Sequence, residues 1–173
     1  IKVQALFGNI VQNDIANKIL DRDILFLCTD EHWGRSIVNQ IAYQYLIPTI
    51  NLGVRIDAKN GIITGAAGGI DILTPDKPCL WCRGLLSANR IYTESIPQPY
   101  RESLLREGYV ENIDTPAPSV INFTTTLASI AVTQFMQIVT NFNNNLPDRV
   151  NYFILDNEIA VGDIPKISYN LHK

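Results

Sequence analysis

An acidic side chain at the end of an apolar run is the first place in this sequence where chemistry can be sited. The run Asp23-Ile24-Leu25-Phe26-Leu27-Cys28-Thr29-Asp30 ends in Thr-Asp, and the residues from Glu31 onward read as the start of a helix. A carboxylate at the carboxyl end of a buried parallel strand lies where open α/β sheets place their ligands. Two roles are open to Asp30 there. It can hold Mg2+ or engage a nucleotide phosphate, since hard cations take carboxylate oxygens, or it can cap the helix that follows. Glu31 reads as a first-turn acid favoured by the helix dipole. Arg35 and Asn39 stand one turn apart on that helix and can face Asp30 or a ligand. The plainer alternative is a surface arginine and an asparagine that satisfies loop carbonyls.

Cys79-Leu80-Trp81-Cys82 is the second element with chemical content. Two thiolates at that spacing reach one Zn2+ from a tight turn. Zinc takes four ligands and there is no second Cys-x-x-Cys, so half a zinc site, a pair of idle thiols and redox work all stay open. Trp81 is expected in an interior slot, and Cys28 as a small core residue. His32 and His172, the two histidines, lack metal-ligand spacing to the cysteine pair. The glycines of 65–69 do not make a phosphate loop, for they lack the lysine-serine/threonine tail. No Ser-His-Asp or Cys-His arrangement is visible.

The elements that must position these groups come next. A length of 173 residues suits one domain with a real core. A net charge of −3, with scattered basic residues, argues against a nucleic-acid footprint. Three cysteines do not make a disulfide framework, which favours a reducing, cytoplasmic setting. The chain begins at Ile1 in what reads as a strand over 3–6 caught in mid-course, with nothing resembling a signal peptide, so a fragment is expected. Residues 115–147 carry no charge, yet they hold so many Asn, Thr, Ser and Gln side chains that a helix packed inside a soluble domain is expected rather than a membrane span.

The pattern predicts a short helix up to residue 20, a strand over 24–28, a helix over 32–45 stopped by Pro48, and a strand over 49–55. Strand, helix and strand make a βαβ unit. Asn60-Gly61 signals a tight turn. Strand segments over 62–63 and 70–73 follow, with the glycines between them marking bulges or a close backbone approach. Beyond 87 the pattern weakens, leaving a helix over 100–108 framed by Pro97, Pro99, Pro116 and Pro118. A long helix then starts near Ser119, with Val120, Phe123, Leu127, Ile130, Ala131, Ile138 and Phe142 on an apolar face. Its second stripe is polar but uncharged, which predicts packing on both sides. Strands over 150–155 and 164–169 close the chain.

Five segments together resemble the ThiF/MoeB/HesA family, bacterial relatives of ubiquitin-activating enzymes. They are the run 23–30 followed by Arg35 and Asn39, then Ile47-Pro48-Thr49-Ile50-Asn51-Leu52-Gly53, Pro78-Cys79-Leu80-Trp81-Cys82 and Pro118-Ser119-Val120-Ile121-Asn122. The resemblance implies an α/β, Rossmann-like ThiF-type fold: a mixed, mostly parallel sheet with flanking helices and its N-terminal part missing. The whole of 1–173 would be the C-terminal part of one adenylation domain, with 83–118 a flexible crossover region. The implied activity is ATP-dependent adenylation of the C-terminal glycine of a ubiquitin-like or sulfur-carrier protein, with the fragment inactive alone. Asp30 matches the family's acid for Mg2+ and ATP. Arg35 matches a motif position on the helix and is the second catalytic candidate, and Asn39 joins Asp30 as a cofactor-binding candidate. Cys79 and Cys82 match the first pair of a structural zinc site. A homodimer in the cytoplasm is implied, with no nucleic acid and no membrane.

The sequence also departs from the family pattern. The glycine-rich nucleotide loop would precede Ile1. The second Cys-x-x-Cys would follow Leu155, yet the sequence reaches Lys173 without it, so either it was cut off or this branch has lost the metal. Glu31 stands where the family has asparagine. No cysteine follows Cys82, so adenylation without a thioester is expected from these residues. The alternative reading is a non-catalytic module of the same fold that docks a ubiquitin-like protein or a partner subunit. A nucleotide-dependent oxidoreductase is disfavoured, because no tyrosine-lysine or histidine pattern accompanies the strands.

Overall fold

The computed structural model describes residues 2–110 and 120–162. In chain order the elements are α1 (Asn13–Ala16), extended by a 3-10 turn (Asn17–Ile19), β1 (Leu25–Leu27), α2 (His32–Gln44), β2 (Thr49–Lys59), β3 (Ile62–Leu73), α3 (Ala88–Ser95), α4 (Gln98–Arg106), α5 (Ile121–Thr140), β4 (Arg149–Phe153) and β5 (Glu158–Gly162). The strands form one mixed sheet in the order β1-β2-β3-β4-β5. Among the described residues its parallel part is the β1–β2 pair, bridged by α2, and β2 to β5 run as an antiparallel meander, so the sheet is mixed as expected but mostly antiparallel there rather than mostly parallel. The meander follows from the connection at Asn60 and Gly61, both at positive φ (53° and 77°), which suits the tight hairpin turn read from the sequence.

Local chemistry sets the element ends. After α2 the chain turns through Leu46 at φ 57°, and Ile47 N–H donates to the Ala42 carbonyl before Pro48 prevents continuation. α5 stops at Asn141, in the left-handed region at φ 51°. Ser87 caps α3 by accepting from Arg90 N–H, and Pro99 lies in the first turn of α4, where its missing donor costs nothing.

Strand alternation decides which side chains share a face. Ile50 and Leu52 of β2, Ile70 and Ile72 of β3 and Val150 of β4 are buried with Leu127 and Ala131 of α5. The residues between them, Thr49, Asn51, Asp71 and Leu73, face the other way and are equally buried. On that side Leu73 packs with Leu27, with Val38 of α2, and with Leu80 and Leu86. Both faces of the sheet are therefore covered over its central part.

Several expectations are corrected in detail. Residues 3–6 form no strand: Val3 is 90% exposed and pairs with nothing in the sheet. The segments 62–63 and 70–73 are one twelve-residue strand, β3. Its glycines allow a close approach, as anticipated, since a Cβ on Gly68 would lie 2.8 Å from Leu127 Cδ1. Helix α3 falls where no element was foreseen, and α4 begins two residues ahead of its predicted start. Phe142 is exposed rather than part of the α5 core face. Pro116, Pro118, Ser119, His172 and the strand over 164–169 lie outside the described residues. No helix among the described residues is long and apolar enough to cross a membrane.

Candidate functional site

The site is built on the end of β1. After Leu27 the chain leaves the sheet through Cys28 and Thr29 and brings Asp30 to the strand's carboxyl end, just ahead of α2. The Asp30 side chain is exposed and makes no hydrogen bond or ion pair among the described residues. It does not cap α2: the N-cap is Glu31, and that residue's side chain makes no cap bond either. Cys28, expected in the core, is exposed at the surface, because β1 ends one residue before it.

Arg35 folds back from the first turn of α2 onto this tip. Its Nε donates to the Thr29 carbonyl at 2.7 Å, Nη1 to Asn51 Oδ1 at 3.2 Å, and Nη2 to the Leu52 carbonyl at 3.4 Å. Space for the guanidinium comes from Gly53, where a Cβ would lie 2.7 Å from Nη2. Burial lowers the Arg35 pKa from its ordinary value, and the Asp71 and Asp30 carboxylates, in that order, offset part of the effect. The group stays a cation. Among the described residues its three hydrogen-bond partners are neutral oxygens, and no carboxylate there makes a contact ion pair with it. Asp30 and Arg35 are thus brought together, one as an open carboxylate and one as a fixed cation.

Behind Arg35 runs a row of polar residues across three strands. Asn51 and Asp71 are register partners on β2 and β3, and Asp71 and Arg149 are partners on β3 and β4. Asn51 Nδ2 donates to Asp71 Oδ2 at 3.1 Å. Asp71 Oδ1 lies 3.1 Å from Arg83 Nη1 and 3.6 Å from Arg149 Nη1. Arg83 also donates to the Pro78, Ile72 and Asp148 carbonyls at 2.7, 2.8 and 3.1 Å. A carboxylate and a guanidinium this deeply buried survive only when nearly every donor and acceptor is matched, and here they are.

Asn39 is buried, and its Oδ1 accepts the Leu80 N–H at 2.9 Å. It therefore ties α2 to the Cys-x-x-Cys turn, while Arg35 alone of the two helix candidates reaches the Asp30 tip. Within that turn the Cys79 and Cys82 sulfurs lie 3.6 Å apart. Two thiolates on one tetrahedral Zn2+ sit about 3.8 Å apart, given a bond of about 2.3 Å. The pair therefore fits half of such a site, and no cluster of three or more metal-ligating side chains occurs among the described residues. Burial, then the hydrogen bond and proximity of Cys79, push the Cys82 thiol up. The interior slot belongs to Leu80, which is fully buried; Trp81 is 42% exposed, because the turn directs Leu80 inward and its neighbour outward.

The N-terminus of α2 is closed by a residue from α3. Glu94 accepts from His32 N–H at 3.1 Å and from Trp33 N–H at 2.6 Å. His32 Nδ1 accepts the Ser87 N–H at 3.1 Å, which requires a neutral ring. Burial first, then Arg90, lowers the His32 pKa, against an opposing pull from Glu94 and with a smaller contribution from Arg35.

Sequence reasoning missed Asn51, Asp71, Arg83, Arg149 and Glu94. The available signal was a polar residue in the middle of an apolar strand: Asp71 lies between Ile70 and Ile72, and Asn51 between Ile50 and Leu52. At the far end of the hairpin a groove of about 550 Å³ is lined in part by Arg55, Asp57, Phe153 and Leu155. Its arginine and aspartate are already paired to each other at 2.9 Å.

A model of the ThiF family matches residues 1–169. Among solved structures, MccB, described as a Microcin C7 biosynthetic enzyme, in complex with N-formylated MccA superposes with a TM-score of 0.62 at 14% identity, over 92% of this chain and 44% of MccB. Escherichia coli MccB with MccA-N7isoASN gives 0.61 at 14% identity, over 93% and 44%, and E. coli MccB with ATP gives 0.57 at 14% identity, over 93% and 43%. Matched over 43–44% of their length, these proteins are under half spanned by the chain, and at such identity the superposition shows a shared fold alone. No curated protein matches the chain.

Proposed function

The chain belongs to the ThiF family, and from that premise we propose that the protein carrying it uses ATP to adenylate the C-terminal carboxylate of a partner polypeptide, this chain supplying the Asp30 side of the site. One placement carries the reading: an exposed carboxylate, unpaired among the described residues, at the carboxyl end of a parallel strand, with an immobilised cation beside it. MccB structures with ATP, and with AMPCPP together with MccA, support the nucleotide and the second polypeptide. The partner class proposed is a ubiquitin-like or sulfur-carrier protein ending in glycine.

In the reaction an oxygen of the terminal carboxylate attacks the α-phosphorus, the bond to the β-phosphate oxygen breaks, and pyrophosphate leaves. Catalysis of this kind rests on placement and charge. Arg35 contributes positive potential at the strand tip, and its bond to the Thr29 carbonyl holds the chain just ahead of Asp30. Asp30 would hold Mg2+, which when bound neutralises phosphate charge. Cys79 and Cys82 would form one side of a structural zinc site. Asn39 serves the site from behind, by holding the cysteine turn on α2. A second copy would pack on the outer side of α5, where Ile121, Val132, Met136 and Val139 are exposed and no residue is charged. The proposed setting is the cytoplasm.

ATP–pyrophosphate exchange by the full-length protein with its partner tests the reading. Asp30→Ala is expected to lower exchange by about 10²–10³-fold. Exchange that is absent from the unaltered protein, or unchanged in the variant, overturns it.

A further inference from the structure

The polar row beneath the strand tip assigns a role to a residue outside the proposed nucleotide contacts. We propose that Asn51, held by Asp71, is a positioning residue for Arg35 that keeps the guanidinium charge unpaired and directed at the Asp30 tip. Only the identity of what the tip then binds rests on the adenylation reading.

The side-chain chemistry at position 51 admits few solutions. Arg35 offers donors alone, and an ionised carboxylate at Asp71 offers acceptors alone. A side chain between them must accept on one side and donate on the other, and an amide does both. The amide orientation is fixed by these neighbours: Oδ1 toward Arg35 at 3.2 Å and Nδ2 toward Asp71 at 3.1 Å. Asp71 cannot turn to Arg35, because Arg83 and Arg149 hold its other oxygen. Arg83 is itself fixed by three backbone carbonyls.

The result is a separation of charges. On one side of Asn51, Asp71 is in contact with Arg83 and Arg149 and acts on Arg35 only across the amide. On the other side, among the described residues, Arg35 bonds to neutral oxygens alone, from Thr29, Asn51 and Leu52. Its field therefore acts on the exposed Asp30 carboxylate and on any anion that arrives there. An aspartate at position 51 would give Arg35 a counter-ion at the present hydrogen-bond distance and cancel that field. Such a variant keeps the shape of the side chain. It exchanges the amide donor for a carboxylate oxygen facing Asp71 Oδ2, a repulsion that the three guanidinium groups of Arg35, Arg83 and Arg149 around the two carboxylates offset.

The substitution is expected to act in opposite directions on two ligands. With Arg35 neutralised, ATP without metal binds the full-length protein about tenfold more weakly, which corresponds to about 1.4 kcal/mol. Mn2+, used alone as the probe, binds several-fold more tightly to an Asp30 freed from a competing cation, and Asp30→Ala removes that Mn2+ binding. Weakening of both ligands in Asn51→Asp indicates a structural defect only and overturns the proposal, as does no change in either. A second variant needs neither ligand. In Asn51→Ala the Arg35 Nε–Hε NMR resonance is expected to lose its protection from solvent exchange while the protein stays folded. An unchanged resonance overturns the proposal. If the adenylation reading fails, the unaltered protein shows no ATP binding, yet the resonance still responds to residue 51, so the two failures are told apart.

Discussion

Two regions of this molecule are rich in polar side chains and use them in opposite ways. On α5 the hydroxyls of Thr124, Thr126, Ser129, Thr133 and Thr140 each donate to the carbonyl four residues earlier, at 2.7–3.4 Å. Their hydrogen bonds close within one helix and connect it to nothing. On the α2 face of the sheet, Arg35, Asn51, Asp71, Arg83 and Arg149 bond to one another across α2, β2, β3, the segment after the cysteine turn, and β4. Polar content alone therefore says little about a region. A self-satisfied stripe is a surface that can pack, whereas a network spanning several elements fixes geometry, and the second kind lies behind Asp30.

Substitutions along the network should cost more than those on the stripe. The largest effect is expected from Asp71→Ala, which strands a buried Arg83 and should lower unfolding free energy by about 3–5 kcal/mol in a denaturant titration. A loss under about 1 kcal/mol would break the contrast between the regions. Gly53→Ala comes next: its methyl meets Arg35 Nη2 and must displace it. The expected cost is about 1–3 kcal/mol, together with a changed Arg35 Nε–Hε resonance. Glu94→Gln removes a charge-assisted cap from the first amides of α2 and should cost about 1 kcal/mol.

Acidification probes the same corner through His32. Because its folded pKa is lowered, the unfolded chain takes up a proton first as pH drops below about 6.5. Stability from this group is therefore intact at neutral pH and declines as pH falls from there toward the folded pKa. His32→Gln should flatten that portion of the melting-temperature profile, and an unaltered profile would show that the ring titrates freely. Smallest of all, Thr126→Ala on α5 should change stability by no more than about 0.5 kcal/mol in either direction. A larger loss would mean that the stripe connects to something after all.

What could be read from the sequence was what is encoded locally. The apolar run into Asp30, the helix broken at Pro48 and the Asn60-Gly61 turn each carry their signal within a few residues, and each is where it was expected. The Asn51–Asp71–Arg149 row was not legible, because it exists only once three strands are in register, with partners 20 and 78 positions apart. Glu94 reaches across 61 and 62 positions to cap α2, and α3 is a helix of 8 residues, too short for its apolar spacing to stand out, held by its contacts with α2. Inside the cysteine turn, composition could not tell which of two adjacent apolar residues points inward. The choice between Leu80 and Trp81 is made by the Asn39 bond to Leu80 N–H and by the core below it. Asp30 follows the strand and precedes the helix, as read, but the reason its side chain stays open, a cap supplied instead by Glu94, is visible only in three dimensions.

Adenylation at this site requires the Asp30 tip to face the triphosphate of a bound nucleotide. A crystal structure of the full-length protein with a non-hydrolysable ATP analogue and Mg2+ measures this directly. The expected result is the Asp30 carboxylate in contact with the phosphates through the metal, with Arg35 still bonded to the Thr29 carbonyl. A nucleotide bound elsewhere, with Asp30 left facing bulk water, would contradict it.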